Sequence, residues 1–228
     1  MLEHGISPWD RLGESPALPE RRFSEAFRPQ TMEDLLLPDA VMRRLNKMLQ
    51  SARPMDMIFY GSPGRGKTSA ARIFINGLKD TFWIREWNGS LIGGDKTFAR
   101  EVEGFACHKT LVGEQTDKIA FIDEADGLTK PVQESLRYII ENSVRCRFIM
   151  TANKVENLTL AIRSRLQTID FDSPAVCTRE NIDKLTDAIQ KRLRDLDVKH
   201  DPHRVYEIVA TRYPDLRSIV NQVDFEFS

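Results

Sequence analysis

The stretch Met55-Asp56-Met57-Ile58-Phe59-Tyr60-Gly61-Ser62-Pro63-Gly64-Arg65-Gly66-Lys67-Thr68-Ser69 decides the fold. Its first part, Met55 to Tyr60, is a short apolar run that reads as a buried strand. Three glycines and a proline break that run, and from Lys67 to about Leu78 the apolar spacing becomes helical. Gly61 to Thr68 has the spacing GxxxxGKT between the two elements. Glycines let a backbone curl until successive N–H groups face one anion, and the start of the following helix adds its dipole. The expected phosphate cradle is Gly61, Ser62, Pro63, Gly64, Arg65, Gly66, Lys67, Thr68 and Ser69. In that arrangement Lys67 reaches the β- and γ-phosphates of a nucleotide, and the Thr68 hydroxyl is a ligand for Mg2+.

Outward from the loop, strand and helix patterns alternate. Phe82–Asn88 reads as a second strand, Lys118–Asp123 as a third, Arg147–Asn153 as a fourth and Leu166–Phe171 as a fifth. Between them lie a loop with Gly93 and Gly94, a helix over Thr97–Cys107, a helix over Pro131–Asn142 and a short one over Thr159–Ser164. Alternation of this kind belongs to a parallel sheet, and strands that are apolar throughout need helices on both faces. The fold class is therefore α/β, with a parallel five-stranded sheet. Upstream, Met32–Leu49 has helical spacing through Leu35, Leu36, Val41, Leu45 and Leu49. After Pro174 no strand pattern remains, and Arg179–Leu196, Pro202–Arg212 and Pro214–Val223 each suit a helix. Three parts are expected: a flexible extension or docking tail over residues 1–20, the α/β domain over 21–172, and a small all-helical domain over 173–228.

The chain has 228 residues with 33 Lys plus Arg against 34 Asp plus Glu, a formal charge of −1. That balance excludes a globally basic nucleic-acid binder, so any phosphate contact must come from a local cluster. No apolar stretch approaches the ~18 residues of a membrane span. The N-terminus lacks an apolar signal core, so a cytoplasmic chain with no membrane partner is expected. Cys107, Cys146 and Cys177 are far apart, and His4, His108, His200 and His203 form no HExxH pattern. Neither set offers a zinc site, and scattered thiols fit a reducing compartment.

The third strand carries a second chemical signature. Ile119-Ala120-Phe121-Ile122 ends in the acids Asp123 and Glu124. At the strand tip Asp123 suits Mg2+, and Glu124 suits the orientation or deprotonation of an attacking water. Two carboxylates are needed because one cannot both neutralise a metal and polarise a nucleophile. Thr151-Ala152-Asn153 ends the fourth strand, where a neutral amide at Asn153 can hydrogen-bond water or the γ-phosphate without adding negative charge.

Together these residues resemble the AAA+ ATPases, and among them the clamp-loader subunits: replication factor C small subunits and the large subunit of phage-type loaders. Asp123-Glu124-Ala125-Asp126 matches their DEAD box, and GLTKPVQESLRYIIE after it is similar to their next helix. Ala161-Ile162-Arg163-Ser164-Arg165-Leu166 resembles the Ser-Arg-Cys motif, with Leu166 in place of Cys. Phe27-Arg28-Pro29 stands where they carry Tyr-Arg-Pro near the adenine, and Tyr213-Pro214-Asp215-Leu216-Arg217 resembles the second sensor of their helical lid. The resemblance covers about residues 21–228 and implies a P-loop NTPase that uses ATP and Mg2+. It makes Lys67, Glu124, Asn153, Arg165 and Arg217 catalytic, adds Phe27, Arg28 and Pro29 to the nucleotide contacts, and gives Mg2+ to Thr68 and Asp123. Arg165 acts as an arginine finger on a neighbouring subunit's nucleotide, and Arg217 senses the γ-phosphate from the lid. Plainer readings are a surface arginine capping the short helix and a solvated helix charge.

The resemblance also assigns Asn88–Arg100, with Gly93, Gly94, Lys96 and Arg100, to DNA backbone, and more weakly Lys130 and Arg137. Three departures stand out. The sequence ends where loaders continue into a helical collar, it has no zinc module, and Arg65 replaces the usual Thr with a side chain expected to point outward. The function this implies is an ATP-hydrolysing subunit of a pentamer-like oligomer that loads a sliding clamp on primer–template DNA. It would work in the cytoplasm at the nucleoid, or in a nucleus. Alternatives are an ATP-gated initiator or helicase-loader adaptor with little turnover, and a regulator of phage or host defence.

Overall fold

Side chains along the strand β1 (Met57–Tyr60) alternate between two cores, with Ile58 in one and Met57 and Phe59 in the other. Such a strand must lie inside a sheet covered on both faces. The computed structural model describes residues 27–107 and 117–227. The expected extension over residues 1–20, His4 and His108 lie outside them.

The sheet has the order β2-β3-β4-β1-β5, with β2 at Trp83–Asn88, β3 at Lys118–Asp123, β4 at Cys146–Ala152 and β5 at Gln167–Asp170. Every pairing is parallel, with Phe59 opposite Thr151 and Ile169, and Ile122 opposite Trp87 and Met150. One face packs on α1 (Asp39–Ser51) and α2 (Lys67–Asn76) through Leu45, Met48, Ala70, Ala71 and Phe74. The other packs on α4 (Lys96–Cys107) and α5 (Lys130–Asn142) through Phe98, Val102, Val132, Leu136 and Ile139. Between β2 and α4 the chain forms one short helix, α3 (Gly89–Ile92), where the sequence reads as loop. The Asn88 side chain caps it by accepting from the Leu91 N–H at 3.1 Å.

The helical spacing over Met32–Leu49 does not become one helix. It is a 3-10 turn at Met32–Asp34, an extended link, and then α1 from Asp39. Pro38 divides them, because proline lacks an N–H and drives the preceding residue out of the helical region.

After β5 come α7 (Arg179–Asp195), α8 (Pro202–Arg212) and α9 (Leu216–Phe227), following the short helix α6 (Leu160–Arg163) before β5. They enclose a third core of Ile189, Leu193, Val205, Ile208, Val209, Ile219 and Val223. The Tyr213 hydroxyl donates to the Val176 carbonyl at 2.7 Å and ties this group to the link after β5. Among the described residues no helix is long and apolar enough to cross a membrane.

Phe59 is fully buried in the central strand, its ring 6.0 Å from that of Phe171. Phe59→Ala should lower stability by ~3–5 kcal/mol, read from urea unfolding. A loss below ~1 kcal/mol would show that β1 is not the centre of the core.

Candidate active site

All five strands run the same way, so the residues that end them gather along one edge of the sheet. That edge of an open α/β sheet is where ligands bind. β1 passes there into Gly61–Gly66, and Gly64 and Gly66 adopt φ of 80° and 83°. These are left-handed conformations that favour glycine. Gly66 is also the N-cap of α2, so the loop delivers its N–H groups directly to a helix start. A Cβ on Gly64 would collide with the Asp215 carboxylate, and the Leu216 N–H donates to the Gly64 carbonyl at 2.9 Å. The start of α9 therefore rests on the loop.

Lys67 begins α2 and is only 7% exposed, and its Nζ donates to the Ser62 carbonyl at 2.8 Å across the loop. Burial pushes its ammonium below the usual lysine value. The carboxylates of Asp172 and Asp126 pull it back, while Arg217 adds to the depression. Beside it the Thr68 hydroxyl donates to Asp123 Oδ1 at 2.9 Å, and the Thr151 hydroxyl donates to the same oxygen. Thr151 Oγ1 also accepts the Glu124 N–H at 2.9 Å. That bond holds Glu124 in a left-handed conformation, φ 53°, which turns the chain sharply after the strand. Asn153 follows β4 directly, one strand over from the two acids.

The oxygen pair of Thr68 and Asp123 is the hard donor set that Mg2+ takes, with water filling the remaining positions. The glycine cradle has room only for backbone around it, and a buried ammonium faces it. The residues present fit a magnesium–nucleotide complex.

Three features of the site were missed in the sequence. Arg72, one turn along α2 from Thr68, pairs with Glu86 on β2 and lies 4.0 Å from Asp123 Oδ2. Gln133, 1% exposed, donates to the carbonyls of Leu128 and Asn157 at 2.8 and 3.0 Å and accepts the Thr159 N–H at 2.8 Å. It joins the segment after Asp123-Glu124 to the segment that leads into α6. Arg65 corrects the expectation of an outward side chain: its Nε lies 3.2 Å from Asp172 Oδ1, and the side chain is 19% exposed. Only the first two residues of the link after β5 place Asp172 there, so apolar periodicity gives no sign of it.

The remaining candidates fall on two sides. Arg217 stands exposed on α9, its Cβ close above Gly64, and lines a concavity with Arg212, Asp215 and Ser218. Phe27 is half-buried on the three-helix core, with exposed Arg28 and half-buried Pro29 after it. Arg165 follows α6 and folds back, donating to the Ala161 carbonyl and pairing with Glu141 of α5. Glu141 also takes Arg137 at 3.0 Å. Within one chain Arg165 thus caps its own short helix and does not reach the glycine loop. Arg100 and Lys130 are exposed, on α4 and at the start of α5, beside the turn at Gly93 and Gly94.

Residues 57–173, more than half of the chain, match the family model described as "ATPase family associated with various cellular activities (AAA)". The replication factor C small subunit of Methanococcus maripaludis is 30% identical over 206 residues, 89% of this chain and 63% of that protein. Replication factor C subunit 4 of Caenorhabditis elegans is 31% identical over 187 residues, 78% of this chain and 56% of that protein. The chain thus spans roughly three fifths of the length of these relatives, and they agree with the resemblance read from its motifs. In fold it is similar to the Holliday junction branch migration motor RuvB of Thermotoga maritima, with a TM-score of 0.69 at 19% identity, over 86% of this chain and 63% of that one. Glycine loop, buried lysine and strand-end acids meeting at one sheet edge, together with these matches, show that the chain belongs to the AAA family of ATPases.

Proposed function

We propose that this ATPase is a clamp-loader-type subunit, which binds ATP with Mg2+ in the glycine loop and couples its hydrolysis to placing a sliding clamp on primer–template DNA. The observation that carries the reading is Thr68 on Asp123 beside the buried Lys67 ammonium, with an arginine, Arg165, on the same chain but turned away from that site. Similarity to replication factor C subunits supports the choice of clamp and DNA as partners. In this reading residues 21–172 form the nucleotide domain and 173–228 its lid, with Phe27, Arg28 and Pro29 at the adenine.

Each residue then has a physical task. The N–H groups from Gly64 to Ser69 and the Lys67 ammonium hold the β- and γ-phosphates. Thr68 and Asp123 would hold Mg2+, which when bound neutralises phosphate charge. Glu124 takes a proton from the attacking water, and Asn153 orients that water through a neutral amide. Arg217 contacts the γ-phosphate from the lid, so that lid position follows the nucleotide. Arg165 supplies its cation to the nucleotide of the adjoining subunit, which makes hydrolysis depend on an oligomer. Arg100, Lys96 and the Gly93-Gly94 turn meet DNA backbone, by charge and shape rather than by base sequence.

Lys67→Ala should weaken ATP binding at least ~100-fold by calorimetry, since it removes the charge and the reach to the phosphates. Affinity within threefold of the parent chain would remove the phosphate-loop assignment.

Glu124→Gln should bind ATP and lose hydrolysis ~100-fold or more. Arg165→Ala should bind ATP and lose only the hydrolysis that assembly, DNA and clamp stimulate. Mixing the two variants should restore part of that hydrolysis, because an intact Arg165 from one can serve an intact Glu124 of the other. A mixture no more active than the separate variants would remove the action of Arg165 across subunits.

A further inference from the structure

The link after β5 places a carboxylate where an anion-binding loop should least tolerate one. Asp172 Oδ2 accepts the Ser62 N–H at 2.7 Å and the Ser62 hydroxyl at 2.9 Å. Its other oxygen faces Arg65 Nε at 3.2 Å. Among the carboxylates that act on the Lys67 ammonium, Asp172 has the largest effect, ahead of Asp126 and Asp123. An unscreened charge at that place opposes Lys67 and repels incoming phosphates. The hydrogen bonds to Ser62 are nevertheless useful. They fasten the second residue of the loop to the strand-end segment, which runs directly into the three helices.

Arg65 resolves the conflict. It sits inside the loop itself, next to Gly64 and Gly66, with its side chain only 19% exposed. Its Nε meets Asp172, while its Nη1 is buried and has no hydrogen-bond partner among the described residues. A buried donor left open in a loop built for anions is a donor available to one.

We infer that Arg65 and Asp172 form a positioning pair, in which Asp172 fastens the glycine loop at Ser62 and Arg65 cancels the carboxylate charge so that phosphates can enter. The pair acts through the loop and its field, not on the reacting atoms. It rests on the phosphate-loop reading above and adds to it one condition, that both the arginine and its carboxylate partner are needed together.

The pair separates from a plain structural clip by the sign of one substitution. A clip loses affinity when either side is removed. A screened carboxylate does not: Asp172→Asn keeps an acceptor for Ser62, deletes the negative charge and leaves the Arg65 cation free. Calorimetric titration of ATP with Mg2+ into four proteins tests this. Arg65→Ala should weaken binding about tenfold, as like charge left facing the ligand does. Asp172→Asn should tighten it several-fold, and the double variant should return to within about threefold of the parent chain. Arg65→Lys, which keeps the charge, should lie within about threefold too, and thermal melts check that each variant is folded. Weaker binding by Asp172→Asn would overturn the inference even if Arg65→Ala failed to fold, and so would a double variant as weak as a folded Arg65→Ala. A parent chain that binds no ATP would overturn the phosphate-loop reading and this inference with it. Normal ATP binding by the parent with uncoupled variants would overturn this one alone.

Discussion

A backbone wraps its N–H groups around one anion ahead of a helix start only where it can turn left-handed, which side chains resist. The left-handed turns at Gly64 and Gly66 meet that condition between β1 and α2, and the rest of the molecule is arranged around them. The sheet order makes the loop the meeting point. β1 lies between β4 and β5, so the ends of both, at Ala152-Asn153 and Asp170-Asp172, fall beside it. Chain direction changes sides at β1, since β2 to β4 lie to one side and β5 to the other. In doubly wound sheets the crevice opens at that reversal. Asp123 arrives from one strand further, and the Thr68 and Thr151 hydroxyls bridge the gap.

Three carboxylates near the loop are held by donors. Asp123 has two hydroxyls and lies near Arg72, Asp126 accepts the Lys154 N–H at 3.1 Å, and Asp172 has Ser62 and Arg65. This is the pattern expected where a site for a highly charged anion is lined with acids. The hydrogen bonds and nearby cations reduce the field that each of these acids presents to a ligand. Lys67 shows the same restraint from the other side. Its ammonium donates to the Ser62 carbonyl, a neutral acceptor that phosphate oxygens can displace.

Much of this was legible in the residues, because local pattern carries it. The apolar runs of β1, β3 and β4 marked a sheet covered on both faces, and GxxxxGKT placed the loop. Asp123 and Glu124 could be found because they stand at the end of a six-residue strand. Sheet order could not be read, since strands that are apolar on both faces give no preference for a neighbour. The boundary at Pro38 was in the sequence and was outweighed by the leucines on either side of it. What stayed hidden is long-range pairing of polar residues: Arg72 with Glu86, Gln133 with Asn157 and Thr159, Arg65 with Asp172, Arg165 with Glu141. Such residues follow no period, and each looks like an ordinary surface position until the fold brings its partner. Arg65 did carry one signal, its departure from the usual Thr, and a bulky cation inside a tight loop needs a reason.

The resting place of Arg165 bears on how an assembly with this chemistry turns on. Within one chain the guanidinium is spent on Glu141 and the Ala161 carbonyl, near the surface and about a third exposed. Pairs in that setting contribute only ~0–1 kcal/mol, so the arginine is held in place without being committed. A neighbouring triphosphate carries several negative charges against the single charge of Glu141, which Arg137 already shares. In the function proposed above, contact with an adjoining subunit would therefore draw the arginine across at little expense, and Arg137 would remain to neutralise the acid left behind. A deeply buried pair would have made the same transfer slow and costly, because an uncompensated charge would stay inside the protein. The weakness of the Arg165–Glu141 contact is thus what the role proposed for Arg165 requires.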